Sequence, residues 1–259
     1  MVKRKNNKKT HLNKKKCFFI FAVIFSILYL FAIYVAYNVA FNSDTPFSNL
    51  FKKFTSDSTL EGGCKMEEEG CFAKPIIYLY PPSTTEVSVT LGNPQNLTHT
   101  YPQYNAGWTI TAEPNGNLFD KTTNRSYYAL YWEGLNTVKQ NFNEGFVIEG
   151  KNTIPFLQEK LKQLGLNERE SNEFIIYWLP KLESSPYNVI RFQTMEEQNK
   201  NMPLIITPKP DTMIRVMMEF KNLDTPINIK EQILPTTPNR TGFVSVEWGG
   251  TDLSNNILK

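Results

Sequence analysis

Beyond its first forty residues the chain is dominated by short β-branched and aromatic runs separated by Pro, Asn and Gly. Ile76 to Tyr80 is continuously apolar and stops at Pro81 and Pro82, the pattern of a buried strand. Glu86 to Leu91 alternates, which turns Val87, Val89 and Leu91 to one face. Trp108 to Ala112, Tyr127 to Glu133 and Phe146 to Glu149 read as further strands, the first of them ending in a turn at Glu113, Pro114, Asn115 and Gly116. The period then changes. Ile154, Leu157, Leu161 and Leu164 follow helical spacing between a capping Thr153 and a stop at Gly165. Asn167 with Glu170 is a capping pair for a second, short helix. Phe174 to Leu179, all apolar and ended by Pro180, is predicted as a strand, as are 188–193, 204–207, 213–220 and 242–248. In the run 213–220, Ile214, Val216, Met218 and Phe220 take one face and Arg215, Met217 and Glu219 the other.

About ten strands and one helical interruption predict an α+β, β-dominated fold, a sandwich or paired antiparallel sheets with a two-helix insertion packed on one side. No strand–helix alternation runs along the chain, which disfavours a parallel barrel or a doubly wound sheet.

The N-terminal pattern is of another kind. Residues 17–41 form 25 positions without a charge, long enough as a helix to exceed a hydrocarbon core of roughly 30 Å. The stretch is too long for the apolar part of a signal peptide, and neither Ala36 nor Ala40 ends a small-x-small site. A single-pass transmembrane helix is expected, flanked by a basic tail at 1–16. Eight of the 28 basic residues lie in that tail with no acid among them, which places it in the cytoplasm and residues 42–259 outside. Residues 42–73 read as a stalk carrying Cys64 and Cys71, expected to pair as a small-loop disulfide in an oxidising compartment. Residues 74–259 make the β-rich domain.

Removing the tail leaves the rest of the chain net acidic, against 25 acids in all, so no nucleic-acid partner is expected. Outside the tail the only histidine is His99, there is no paired CxxC, and no glycine-rich phosphate loop occurs; no metal, cofactor or nucleotide site is expected.

Lys74 opens KPIIYLYP, and after it come YWEG at Tyr131, LGLN at Leu164, NEFIIYWLP at Asn172, PDTMIRVMM at Pro210 and EWGG at Glu247. This ordered series resembles a family of uncharacterised bacterial proteins, many of them secreted or membrane-anchored. The resemblance implies only that residues 74–256 are a recurring unit and brings no reaction with it; the N-terminal anchor is an independent inference.

Chemistry has few candidates. Glu133, Glu173 and Glu247 lie beside aromatic residues, and paired carboxylates near aromatic platforms are what glycoside hydrolysis uses. The alternative is that they tie strand ends to turn amides or to Arg191 and Arg215. Tyr131, Trp132, Trp178 and Trp248 are candidate binding residues, since flat rings stack on sugars or anchor interfaces. The expected function is a membrane-anchored, non-enzymatic module binding cell-wall polymer or a surface protein, with a carboxylate-dependent glycan hydrolase as the alternative.

Overall fold

The computed structural model describes residues 29, 31, 34, 71–136 and 142–254. The chain divides into two compact units, 1–61 and 62–259. In the first, Tyr29, Phe31 and Tyr34 are helical and exposed. No helix among the described residues is long and apolar enough to cross a membrane. The rest of the expected span, Cys64 and the side chain of Cys71 lie outside the described residues.

The second unit is β-dominated α+β. Its strands are β1 (Cys71–Tyr80), β2 (Thr85–Leu91), β3 (Leu97–Tyr101), β4 (Trp108–Ala112), β5 (Leu118–Asp120), β6 (Arg125–Tyr127) and β7 (Leu130–Leu135). After them come β8 (Glu144–Glu149), β9 (Tyr187–Phe192), β10 (Leu204–Thr207), β11 (Thr212–Leu223), β12 (Lys230–Glu231) and β13 (Val244–Asp252). An eight-stranded sheet runs β12-β8-β9-β11-β13-β1-β7-β3, and a five-stranded sheet runs β10-β2-β4-β5-β6. The larger sheet departs from the expected antiparallel pairing at two places, β11 beside β13 and β12 beside β8, which are parallel.

Each face of the large sheet has its own core. Ile77, Leu79, Leu130 and Trp132 meet Val87, Val89, Leu91 and Ile110 of the smaller sheet. On the other face Ile76, Tyr78, Val216, Met218, Phe220 and Trp248 are covered by the helices α1 (Thr153–Gln163) and α2 (Glu168–Glu183). The alternation expected for β11 holds, but both of its faces are buried because the strand lies between the two layers.

α1 ends as expected. Gly165 has φ +95° and closes the last turn with Gly165 N–H donating to Lys162 O and Leu166 N–H donating to Leu161 O. Thr153 is the first helical residue rather than the cap, and its hydroxyl donates to Gly150 O.

The second helix corrects the expectation of a short helix followed by a strand. Asn167 and Glu170 form the reciprocal cap, and the helix continues through FIIYWL to Glu183 with Pro180 inside it. Phe174, Trp178 and Leu182 recur every four residues and are buried, while Ile176 is 74% exposed. Pro180 withholds the N–H that Ile176 O would accept, and that carbonyl belongs to an exposed residue within reach of water. Trp178 reaches the sheet at Gly250, where an added Cβ would stand 2.7 Å from the indole. A third helix, α3 (Met195–Asn201), has a Thr194/Glu197 capping box that could have been read from the spacing.

Candidate functional site

The three candidate glutamates have separate partners, and one of them lies on the other side of the large sheet. Glu247 on β13 is fully buried between the two sheets. Its Oε2 accepts from Arg215 Nε at 2.5 Å and its Oε1 from Trp132 Nε1 at 2.8 Å. Arg215 and Glu247 are direct partners in the parallel pairing, so strand register alone brings them together. The remaining guanidinium nitrogens of Arg215 donate to Asn199 Oδ1 and Met202 O, both at 2.9 Å. Arg191, the other expected partner, holds Glu219 and Glu197 instead. Burial raises the Glu219 carboxyl above its ordinary range even with Arg191 beside it.

Glu133 alternates with Trp132 along β7 and therefore projects from the opposite, helix-bearing face of the large sheet. It and Glu247 cannot act on one bond. Glu133 Oε1 accepts the backbone N–H of Lys74 at 3.2 Å, and Oε2 lies 3.7 Å from His99 Nδ1 on the neighbouring strand. Lys74 can deliver that N–H because β1 bulges between Ala73 and Ile76, with Lys74 at φ +58°.

Glu173 is on the same helix-bearing face but has its own partners. Its Oε2 accepts from the Tyr78 hydroxyl at 2.6 Å and its Oε1 from Arg169 Nε at 3.3 Å. Glu133 and Glu173 are thus held by different residues of β1, Lys74 through its backbone N–H and Tyr78 through its hydroxyl.

Trp132, Trp178 and Trp248 are each 0% exposed and belong to the cores, which corrects their expected binding role. An indole is large enough to anchor two layers, and its apolar body gains more from burial than from partial exposure. Tyr131 alone of the four is accessible in part. It lies in a shelf on the helix-bearing face near Tyr177 of α2, over whose ring the half-buried Lys74 and Lys181 sit, while its cross-strand partner Tyr101 is 55% exposed and meets Tyr127 edge-on. Tyr128, 48% exposed, continues the shelf beside Tyr78.

Burial, together with the charge of Glu133, pushes the Tyr131 and Tyr177 phenols up; burial and the hydrogen bond to Glu173 do the same for Tyr78. These hydroxyls are neutral donors at physiological pH, suited to binding acceptors and unsuited to acting as bases. Nothing in the sequence marked Lys74, Lys181 or Arg169 as members of this surface, because their common feature is proximity to rings brought in by other elements.

A separate groove of about 400 Å³ lies between β8, α1 and residues 227–231, lined by Phe146, Ile148, Phe156 and Ile227. None of the candidate residues lines it. Among the described residues no cluster of His, Cys, Asp and Glu could hold a metal.

The second unit is thus a two-sheet β-rich domain with helices over one face and a tyrosine shelf beside them. No family model matches the chain, and no solved structure matches it. The chain is similar to the uncharacterized protein in the bglA 3′ region of Butyrivibrio fibrisolvens, 40% identical over 76 residues. The matched stretch covers 28% of this chain and 76% of the relative, and the chain belongs to the same family as that protein. The relative's name states no activity.

Proposed function

We propose that the chain is a single-pass membrane protein, N-terminus in the cytoplasm, that displays its β-rich domain outside as a non-enzymatic binding module for cell-wall polymer. The uncharged stretch 17–41 behind eight basic residues supports the anchor and its orientation. The observation that carries the binding role is that each carboxylate is engaged by its own partners, beside partly exposed tyrosines. Glu133 and Glu247 lie on opposite faces of one sheet, and Glu173 is held by Tyr78 and Arg169. Hydrolysis requires two carboxyl groups flanking one bond, one of them free to give a proton. Binding requires only accessible rings and donors, which Tyr101, Tyr128, Tyr131 and Tyr177 supply.

The test is a screen of the full-length protein in detergent against purified neutral and charged wall polymers, with release of reducing ends followed in parallel. Retention of at least one polymer without release of ends is expected. Release that disappears in a folded Glu133→Gln variant would establish the hydrolase instead, and capture of wall proteins with no polymer retained would assign a protein partner.

A further inference from the structure

Cations sit over tyrosine rings at several points on the helix-bearing face, and their charges are balanced differently. Arg240 lies 5.4 Å from the centre of the Tyr80 ring and forks onto both oxygens of Glu170. Arg169 lies 5.4 Å from that of Tyr128 and is paired with Glu173. Tyr177 carries two cations, Lys74 Nζ at 5.1 Å and Lys181 Nζ at 6.0 Å from the ring centre. Neither ammonium has a carboxylate or hydrogen-bond partner among the described residues. Both lysines are half-buried, so their charges are less screened than on open surface.

The nearby carboxylate does not neutralise them. Glu133 acts on Tyr177 through its charge, but it is engaged by the Lys74 backbone N–H and the Tyr131 phenol and makes no ion pair with either ammonium. The result is a pair of ammonium groups, with three donors each, aimed at one ring on an accessible shelf.

We infer that Lys74, Lys181 and the ring of Tyr177 form a subsite for the anionic substituent, a carboxylate or a phosphate, of a cell-wall glycan. The inference rests on the binding role proposed above and adds the chemistry of the ligand. An anion bound there takes charge-assisted hydrogen bonds from the lysine ammonium groups, while the tyrosine ring packs against the adjoining sugar or polyol.

The experiment is calorimetric titration of the full-length protein in neutral phosphatidylcholine nanodiscs. The probes are polygalacturonate for the carboxylate, poly(glycerol phosphate) for the phosphate, and a neutral β-glucan. One or both anionic polymers are expected to bind, more weakly as salt is raised, with the neutral glucan at least about ten-fold weaker. Lys181→Gln, near the end of α2 and remote from the bulge, should weaken anionic binding about ten-fold without moving the unfolding midpoint, and Lys74→Gln should do the same. Tyr177→Phe should retain binding, because the ring and not the hydroxyl is used.

Equal binding of neutral and anionic polymers, or Lys181→Gln binding as the parent does, would sink the anionic subsite while leaving the binding module standing. Binding of none of the three polymers would remove both. Phosphatidylglycerol vesicles are a fourth probe, and lysine-dependent binding confined to them would also remove both and assign the lysines to the membrane surface.

Discussion

At the scale of single residues the two glutamates of YWEG and EWGG look alike in the sequence and have different fates. Glu247 is buried against Arg215, whereas the Glu133 side chain keeps 20% of its exposure and accepts from a backbone amide. Neutralising Glu247 leaves Arg215 as a buried, uncompensated cation, so Glu247→Gln should cost about 3 to 5 kcal/mol. That exceeds the 1 to 3 kcal/mol that a weakened hydrogen bond alone would predict. Glu133→Gln should cost about 1 kcal/mol, because water reaches the site. Urea unfolding of the two variants checks the order, and equal losses would contradict the burial difference.

The tryptophans carry the same lesson. Trp132, Trp178 and Trp248 stand beside carboxylate or tyrosine in the sequence, and only the third dimension shows all three inside cores. Glu247 with Arg215 was legible as a pairing, since opposite charges on strand-forming runs tend to meet; its depth was not.

At the scale of elements, α2 is where local pattern and tertiary structure part. FIIYWLP has the composition of a buried strand, and periodicity in so short an apolar run does not separate strand from helix. Two longer-range facts decide it. The Asn167/Glu170 cap starts a helix seven residues before Phe174, and the four-residue spacing of Phe174, Trp178 and Leu182 buries one face on the large sheet. Arg240, seventy residues away, completes the cap by donating to both oxygens of Glu170. Asn167→Ala removes the side-chain oxygen that accepts from Glu170 N–H at 2.9 Å and should cost about 1 kcal/mol. A melting midpoint indistinguishable from the parent would show that Arg240 and packing hold the helix start without the cap.

At the scale of the whole molecule, the proposed topology makes a direct prediction. Protease added to intact cells should release material from the β-rich domain while residues 1–16 stay protected, read with antibodies against each end. Labelling of the lysine tail from outside would overturn the orientation. The large sheet orders its strands as no reading along the chain would, with β13 between β11 and β1 and in parallel register with β11. That register places Glu247 opposite Arg215 and, with the alternation of β7, turns Glu133 to the other face. It also sets the helix-bearing face on which the bulge at Lys74 meets Tyr177 and Lys181 of α2.

By itself the sequence determined the β-dominated class, the position of most strands, the inward face of β2, the alternation of β11 and the C-terminal stop of α1. Each of these depends on periodicity and turn chemistry between near neighbours. Tertiary structure alone decided the helical state of 174–179, the burial of the tryptophans and of Glu247, and the gathering of tyrosines and lysines into one shelf. Those outcomes depend on contacts between residues as many as a hundred or more positions apart, such as Trp132 with Glu247, and no local pattern carries information about which distant side chain removes a group from water.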